Sequence, residues 1–94
     1  MSTPLSKQTL KRMAWLAALE DPKNLTRQTR RCYRKAGGKV CAVGLLMELE
    51  GTDHPHQVAP IINALTMGDV QYLNDTERMT FPQIAACLRR LWKL

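Results

Sequence analysis

Cysteine and histidine have the widest scope for chemistry in this chain, and two of each lie in its middle third. Cys32 and Cys41 have eight residues between them, and His54 and His56 flank a single proline. A structural zinc site usually takes cysteines about two to four residues apart and histidines about three to five apart. The spacing therefore disfavours zinc and predicts that both histidines lie in a surface loop.

The same two cysteines would form a redox pair only if they faced each other across two strands. Nearby Arg and Lys lower a thiol pKa, but Cys41 opens an apolar run, where burial raises it. Cys87 brings the count to three, an odd number in a chain whose N-terminus has no apolar signal core. We therefore expect free, mostly buried thiols in the cytoplasm.

The sequence contains no motif that indicates a catalytic reaction. It has no Gly-x-Ser-x-Gly elbow, no His-Glu-x-x-His pair and no phosphate-binding loop. Glu48 and Glu50 are two residues apart, so a helix points them to different sides. We therefore predict that the protein is not an enzyme and uses neither a metal nor a cofactor.

Positive charge is concentrated in the first half of the chain. The net charge is +6, but residues 1–47 hold ten Lys and Arg against two acids, a net of +8. Residues 48–94 hold four basic and six acidic residues, a net of −2. No acid lies between Lys23 and Met47. This block predicts contact with a polyanion or with an acidic protein surface.

The first predicted helix has two candidate starts, Ser6 and Thr3, because either hydroxyl can cap a helix. It should end near Glu20, since Pro22 excludes the helical conformation at the residue before it. Apolar residues at helical spacing define its inward stripe. That stripe consists of Leu10, Met13, Ala14, Leu16 and Ala17, with Trp15 at its edge.

Four predicted segments lie between this helix and the last one. Gly37-Gly38 predicts a reversal and thus a small β-hairpin near residues 27–41, in which residues 28–34 pair with residues 39–41. A buried helix covers residues 41–50 and ends at Gly51. Another helix begins close to Ala59, and one or two turns cover residues 69–75.

The register of the hairpin decides whether its cysteines meet. A four-residue loop would set Arg34 opposite Lys39 and would bring Cys32 opposite Cys41. A tight turn on the two glycines alone would instead set Arg34 opposite Cys41.

Thr80 and Gln83 form a predicted capping box for the last helix. This helix runs from Phe81 to near Lys93, and its inward residues are Ile84, Cys87 or Leu88, and Leu91. Together the elements predict a mainly α (α+β) protein of four to five short helices and one small hairpin. Residues 1–94 should form a single compact domain. No apolar run reaches the roughly 18 residues of a membrane span.

Several short segments, spread over most of the chain, share their order with a known protein family. They are Trp15, Gln28, Gly38, Cys41, Gly44, Leu46, Leu73-Asn74-Asp75, Phe81, Ile84 and Ala85. With them the chain resembles small bacteriophage and prophage proteins of unassigned function, which carry a Gly-Tyr-Cys-Cys-Leu-Gly-Val-Leu-like segment and a C-terminal Leu-Asn-Asp…Phe-x-x-Ile-Ala segment. The resemblance implies a mobile-element origin and a mainly helical fold, and it brings no catalytic residues. The Arg-rich hairpin departs from the family, so a charge-based function would be this chain's own.

Together with the resemblance, the charge predicts a phage or prophage accessory protein that binds a host protein non-catalytically, in host modulation or anti-defence. The predicted binding residues are Arg27, Arg30, Arg31, Tyr33, Arg34, Lys35 and Lys39. Tyr33 and an exposed Trp15 or Trp92 would supply anchors on an acidic patch in the host cytoplasm.

The alternative function is nucleic-acid binding, in which the same hairpin contacts phosphates. The lack of a basic recognition helix favours the protein partner. A third interpretation is that Arg34 and Lys35 only keep a strand edge soluble.

Overall fold

Helices make up most of the described chain in the computed structural model, which describes residues 6–29, 34–35, 37–62 and 67–94. The elements are α1 (Lys7–Glu20), α2 (Pro22–Leu25), β1 (Arg34–Lys35), β2 (Lys39–Val40), α3 (Ala42–Glu50), a 3₁₀ turn (Pro55–Gln57), α4 (Ala59–Ile62), α5 (Met67–Asp75) and α6 (Phe81–Trp92). The predicted mainly α fold with one small hairpin is confirmed. The helix that the sequence did not predict is α2, a four-residue helix capped by Asp21.

The helix ends follow the local signals in the sequence. Ser6 caps α1 by accepting the Thr9 N–H at 3.1 Å. The capping box of α6 is complete, since Thr80 Oγ1 accepts the Gln83 N–H at 3.4 Å and Gln83 Oε1 accepts the Thr80 N–H at 2.9 Å. Gly51 ends α3 with a φ of 67°, a left-handed conformation that glycine adopts without strain.

The core is built around α1, which packs against α6, α3 and α4. Trp15 and Phe81 are its largest buried side chains, and both have no exposed surface. The Trp15 indole N–H donates to the carbonyl of Ala42 at 2.9 Å, so the ring is packed without leaving a donor unpaired. None of the helices within the described ranges is long and apolar enough to cross a bilayer.

The inward face of α1 was predicted wrongly. Leu16 is buried as expected, but Leu10 is 52% and Met13 is 41% exposed, and the alanines of the predicted stripe, Ala14 and Ala17, are exposed too. The buried face is instead made of Trp15, Leu16 and Leu19. Burying an indole removes far more apolar surface from water than burying two alanines, so the helix turns its Trp15 side to the core.

The last turn of α6 also departs from its prediction. Ile84 and Leu88 are fully buried, but Leu91, which was expected to point inward, is 46% exposed. Trp92 packs against the core in its place, with its ring centroid 6.1 Å from that of Trp15. The larger ring again takes the inward position.

The hairpin forms in a register that differs from both predicted ones. Arg34 lies opposite Val40, and Lys35 lies opposite Lys39. Each predicted register is therefore wrong by one residue. The predicted pairing of Cys32 with Cys41 falls outside the described residues, because Cys32 does.

A third segment accompanies β2 on its other side and fixes its position. Gln28 and Val40 form a parallel bridge, in which the Val40 N–H donates to the Arg27 carbonyl at 2.8 Å and the Thr29 N–H donates to the Val40 carbonyl at 2.9 Å. The sequence treated residues 28–34 as one continuous strand. In the structure the chain pairs with β2 first at Gln28 and again at β1.

Candidate functional site

The hairpin divides into a buried base and an exposed tip. We call Gln28, Thr29, Val40 and Asn74 the hairpin base, and Gly37, Gly38 and Lys39 the hairpin tip. Val40 is 1% exposed and Asn74 has no exposed surface, whereas all three tip residues are exposed. The two ends of the hairpin therefore have opposite solvent environments.

The side chain of Asn74 is the centre of the base. Its Oδ1 accepts the Ala42 N–H at 3.3 Å and Gln28 Nε2 at 3.0 Å. Its Nδ2 donates to the Thr29 carbonyl at 2.9 Å and to Asp75 Oδ1 at 2.7 Å. One buried amide thus joins α5, the start of α3 and the segment beside β2, and its loss would strand several buried polar groups.

Gln28 extends this network to α6. Its Nε2 also donates to the Met79 carbonyl at 2.7 Å, and its Oε1 accepts the Phe81 N–H at 3.2 Å. The Phe81 N–H is one of the first-turn donors that a helix cannot satisfy internally. Gln28 therefore helps to cap α6 while it holds the hairpin base in place.

Arg27, one of the predicted binding residues, makes its hydrogen bonds to other residues of the fold. Its Nε donates to the Gly38 carbonyl at 2.9 Å, and its two terminal nitrogens reach Asn24 Oδ1 at 3.0 Å and Glu48 Oε2 at 2.6 Å. The side chain of Arg27 is 30% exposed. Arg27 thus ties the hairpin tip to α3, and Glu48 offsets its charge.

The hairpin tip turns on two glycines and exposes a lysine. Gly37 and Gly38 have φ values of 81° and 76°, so any larger residue would be strained there. Lys39 is exposed although its neighbour Val40 is buried, because successive side chains of a strand point to opposite faces. The alternation that buries Val40 therefore presents the amine of Lys39 to solvent.

Two of the other predicted binding residues belong to a strand. The backbone places Arg34 and Lys35 in β1. Arg30, Arg31 and Tyr33 lie outside the described residues.

Other basic residues of the first half make bonds within the fold. Lys11 pairs with Glu50 at 3.5 Å. Arg12 donates from Nε to the Ile61 carbonyl at 2.6 Å, and its guanidinium lies 4.4 Å from the ring centroid of Trp92. Like Arg27, these two side chains hold helices together, and this leaves less of the positive charge of the first half for an external partner.

The tryptophan anchors predicted for a partner are not both available. Trp15 is fully buried and cannot contact another molecule, so that prediction was wrong. Trp92 is half-buried, and Arg12 lies over its ring.

Cys41 has a structural role, and the two histidines lie at the surface. Cys41 caps α3, because its Sγ accepts the Gly44 N–H at 3.3 Å. Burial raises the pKa of the Cys41 thiol, which disfavours the reactive thiolate. His54 and His56 are exposed, with ring centroids 5.5 Å apart. Among the residues that the structure describes, no group of three or more His, Cys, Asp or Glu could hold a metal ion.

Apart from Gly38 in the hairpin tip, the described residues behind the family resemblance belong to the scaffold. Trp15, Phe81 and Ile84 lie in the core, and Gln28 and Asn74 build the hairpin base. No local pattern predicts a structural role for Gln28 and Asn74, since the bond between them spans 46 positions. No protein-family profile, curated protein or solved structure matches this chain significantly. The resemblance to phage proteins therefore stays a prediction.

Proposed function

We propose that this protein is a non-catalytic binding module of phage or prophage origin, which docks on an acidic surface of a host protein in the host cytoplasm. The docking residues are the basic residues of the hairpin together with Tyr33. Arg27 holds the docking surface in position, since its bonds to Gly38 and Glu48 connect the hairpin tip to α3.

The observation that carries this proposal is the contrast between a fixed base and an exposed, basic tip. A loop that is already ordered loses little conformational entropy when it binds, so more of its interaction energy appears as affinity. The bonds of Asn74 and Gln28 order the base before any partner arrives. Such an arrangement suits recognition rather than chemistry.

The charge of the hairpin defines the kind of surface it fits. Seven of the chain's fourteen Lys and Arg lie between Lys23 and Lys39, with no acid among them. A partner with clustered Asp and Glu would be attracted over a distance of about 10 Å at moderate salt and would also be oriented by this patch.

Charge reversal on the hairpin tests the proposal. The protein is immobilised and exposed to host lysate as wild type, as Arg30→Glu with Arg34→Glu, and as a matched control. The control is Arg90→Glu with Lys93→Glu, which changes two exposed residues, one in the last turn of α6 and one at its C-cap. All captured proteins are quantified by mass spectrometry. We expect a specific partner to be held by the wild type and the control and lost by the hairpin variant. Capture that is the same for all three would refute the hairpin as the docking surface.

A second measurement separates a protein partner from a nucleic acid. Binding to mixed DNA and RNA is measured at low and at moderate salt. Contact of about six basic residues with phosphates would give binding that weakens by about three decades over this range. The proposal predicts little binding even at low salt. Tight, salt-sensitive binding that the hairpin variant abolishes would show that the partner is a nucleic acid and would refute the proposed protein partner.

A further inference from the structure

The outward face of α1 is an apolar surface that the described part of the chain leaves exposed. It lies opposite the buried Trp15 and Leu19, and its residues recur at intervals of three and four, the spacing of one helical face. In order they are Lys7, Leu10, Met13, Ala14, Ala17 and Glu20. All six are exposed, with Leu10 at 52% and Met13 at 41%. A helix face that is apolar in its middle and turned to water is typical of a contact surface.

The ends of this face carry opposite charges. Lys7 lies in the first turn of α1 and Glu20 is its last residue. Arg89 donates to both carboxylate oxygens of Glu20, at 2.8 and 2.6 Å, and this bonding lowers the pKa of Glu20. Lys7 thus marks the positive end of the face, and Glu20, whose carboxylate is shared with Arg89, marks the other end.

We propose that this face binds a second copy of the chain, so that two α1 helices pack antiparallel about a two-fold axis that passes between Met13 and Ala14. This inference is independent of the hairpin's partner. A dimer of this kind would present two hairpins to whatever they bind.

The order of residues along the face favours this occupant. An antiparallel pair centred between Met13 and Ala14 sets Lys7 against Glu20, Leu10 against Ala17, and Met13 against Ala14. Every large side chain then meets a small one, which allows the helices to interlock closely. Each contact occurs twice, as a two-fold interface requires.

The parallel arrangement lacks these matches. It would set Lys7 against Lys7 and Glu20 against Glu20, and like charges repel. It would also stack Leu10 on Leu10 and leave a gap between the alanines. The order of residues on the face therefore favours a second copy of the chain as the partner and an antiparallel arrangement of the two α1 helices.

The contact area is modest, and this sets the expected affinity. Six side chains on each copy give an interface at the small end of specific protein contacts, below about 1,200 Å² in total. We expect a reversible dimer with a dissociation constant of about 10 to 100 μM.

Sedimentation equilibrium of the full chain tests the dimer from about 5 μM to 1 mM, a range that brackets the expected constant. The wild type should change from monomer to dimer over this range. Ala14→Glu places two carboxylates at the two-fold axis and should leave a monomer at every concentration. Ala86→Glu is the matched control, because Ala86 is an exposed alanine on α6; it should dimerise like the wild type.

Lys7→Glu tests the direction of the two helices. In the antiparallel dimer it replaces the amine that faces each Glu20–Arg89 pair with a carboxylate and should weaken association about threefold at low salt, whereas a parallel dimer opposes like charges before and after the change and would be indifferent to it. Circular dichroism verifies the fold of each variant, and Ala17→Glu replaces Ala14→Glu if that variant unfolds. A wild type that stays monomeric at about 1 mM, or a dimer that survives Ala14→Glu and Ala17→Glu, overturns the proposal. An unchanged constant in Lys7→Glu overturns the antiparallel arrangement.

Discussion

The base and the tip of the hairpin are close in space, but they differ in burial and in charge. The base is buried and is held by neutral amides, chiefly those of Gln28 and Asn74. The tip is exposed, turns on two glycines and carries the charge of Lys39. Buried polar groups that are fully bonded make a structure rigid, and exposed charges contribute little to stability. The same hairpin can therefore be fixed at one end and free to bind at the other.

This difference predicts a gradient of mutational effects. Substitutions in the base should lower the free energy of unfolding, because they leave buried polar groups without partners. Substitutions at the tip should change binding and leave stability almost unaltered. Arg27 lies between the two and should show a small effect on each.

Asn74→Ala should have the largest effect on stability. It removes the acceptor of the Ala42 N–H and the donor to the Thr29 carbonyl, both in buried surroundings. We expect the free energy of unfolding in urea to fall by about 3 kcal/mol.

Asn24→Ala is the control for that substitution, because the Asn24 side chain is only partly buried and bonds to Ala18 and Arg27. It should cost about 1 kcal/mol. If the two alanine variants were equally stable, the base would not be the fixed end of the hairpin.

Gln28→Ala should cost about 2 kcal/mol, since it leaves the Met79 carbonyl and the Phe81 N–H without their side-chain partner. Its effect should not add to that of Asn74→Ala. Because the two amides share a hydrogen bond, the double variant should be more stable than the sum predicts by at least about 0.5 kcal/mol. Urea unfolding of all four proteins gives this coupling, and strict additivity would mean that the amides act separately.

Arg27→Met keeps the alkyl stem and removes the charge. The ion pair with Glu48 is partly exposed, with side chains 30% and 45% accessible, so the loss should be at most about 1 kcal/mol. The difference from the wild type should shrink in high salt. A cost near that of Asn74→Ala would place Arg27 in the base.

Lys39→Glu should have the smallest effect on stability, within about 0.5 kcal/mol of the wild type. It should nevertheless weaken capture of the partner, because it reverses an exposed charge on the docking surface. Lys93→Glu, an exposed change of the same type on the C-terminal side of α6, serves as its control. Equal capture by both variants would remove Lys39 from the binding surface.

Helix ends could be predicted from the sequence because their signals are local. Ser6, Gly51 and the pair Thr80 and Gln83 each act within a few residues of their own position. The inward face of α1 could not be predicted in this way. This helix carries apolar residues on two sides, and the side that becomes buried depends on Trp15 and its distant partner Ala42.

The hairpin base and the strand register could not be predicted from the sequence for a related reason. Asn74 meets Thr29 across 45 positions, and no local pattern marks an Asn within a helix as a buried junction. The register goes together with the bridge between Gln28 and Val40 on the other side of β2, which no pattern in the turn reveals. Both features are tertiary, so they follow from the packed core.

Hydrogen exchange of individual backbone amides, followed by NMR, tests the contrast between base and tip most directly. The Thr29 and Val40 amides, which bond across the base, should be protected to a degree similar to the Leu45 amide in the buried first turn of α3. The amides of Gly37 and Gly38 should exchange within about tenfold of the rate of an unfolded chain. Exchange at Thr29 and Val40 as fast as at the two glycines would contradict a fixed base and, with it, the proposed docking surface.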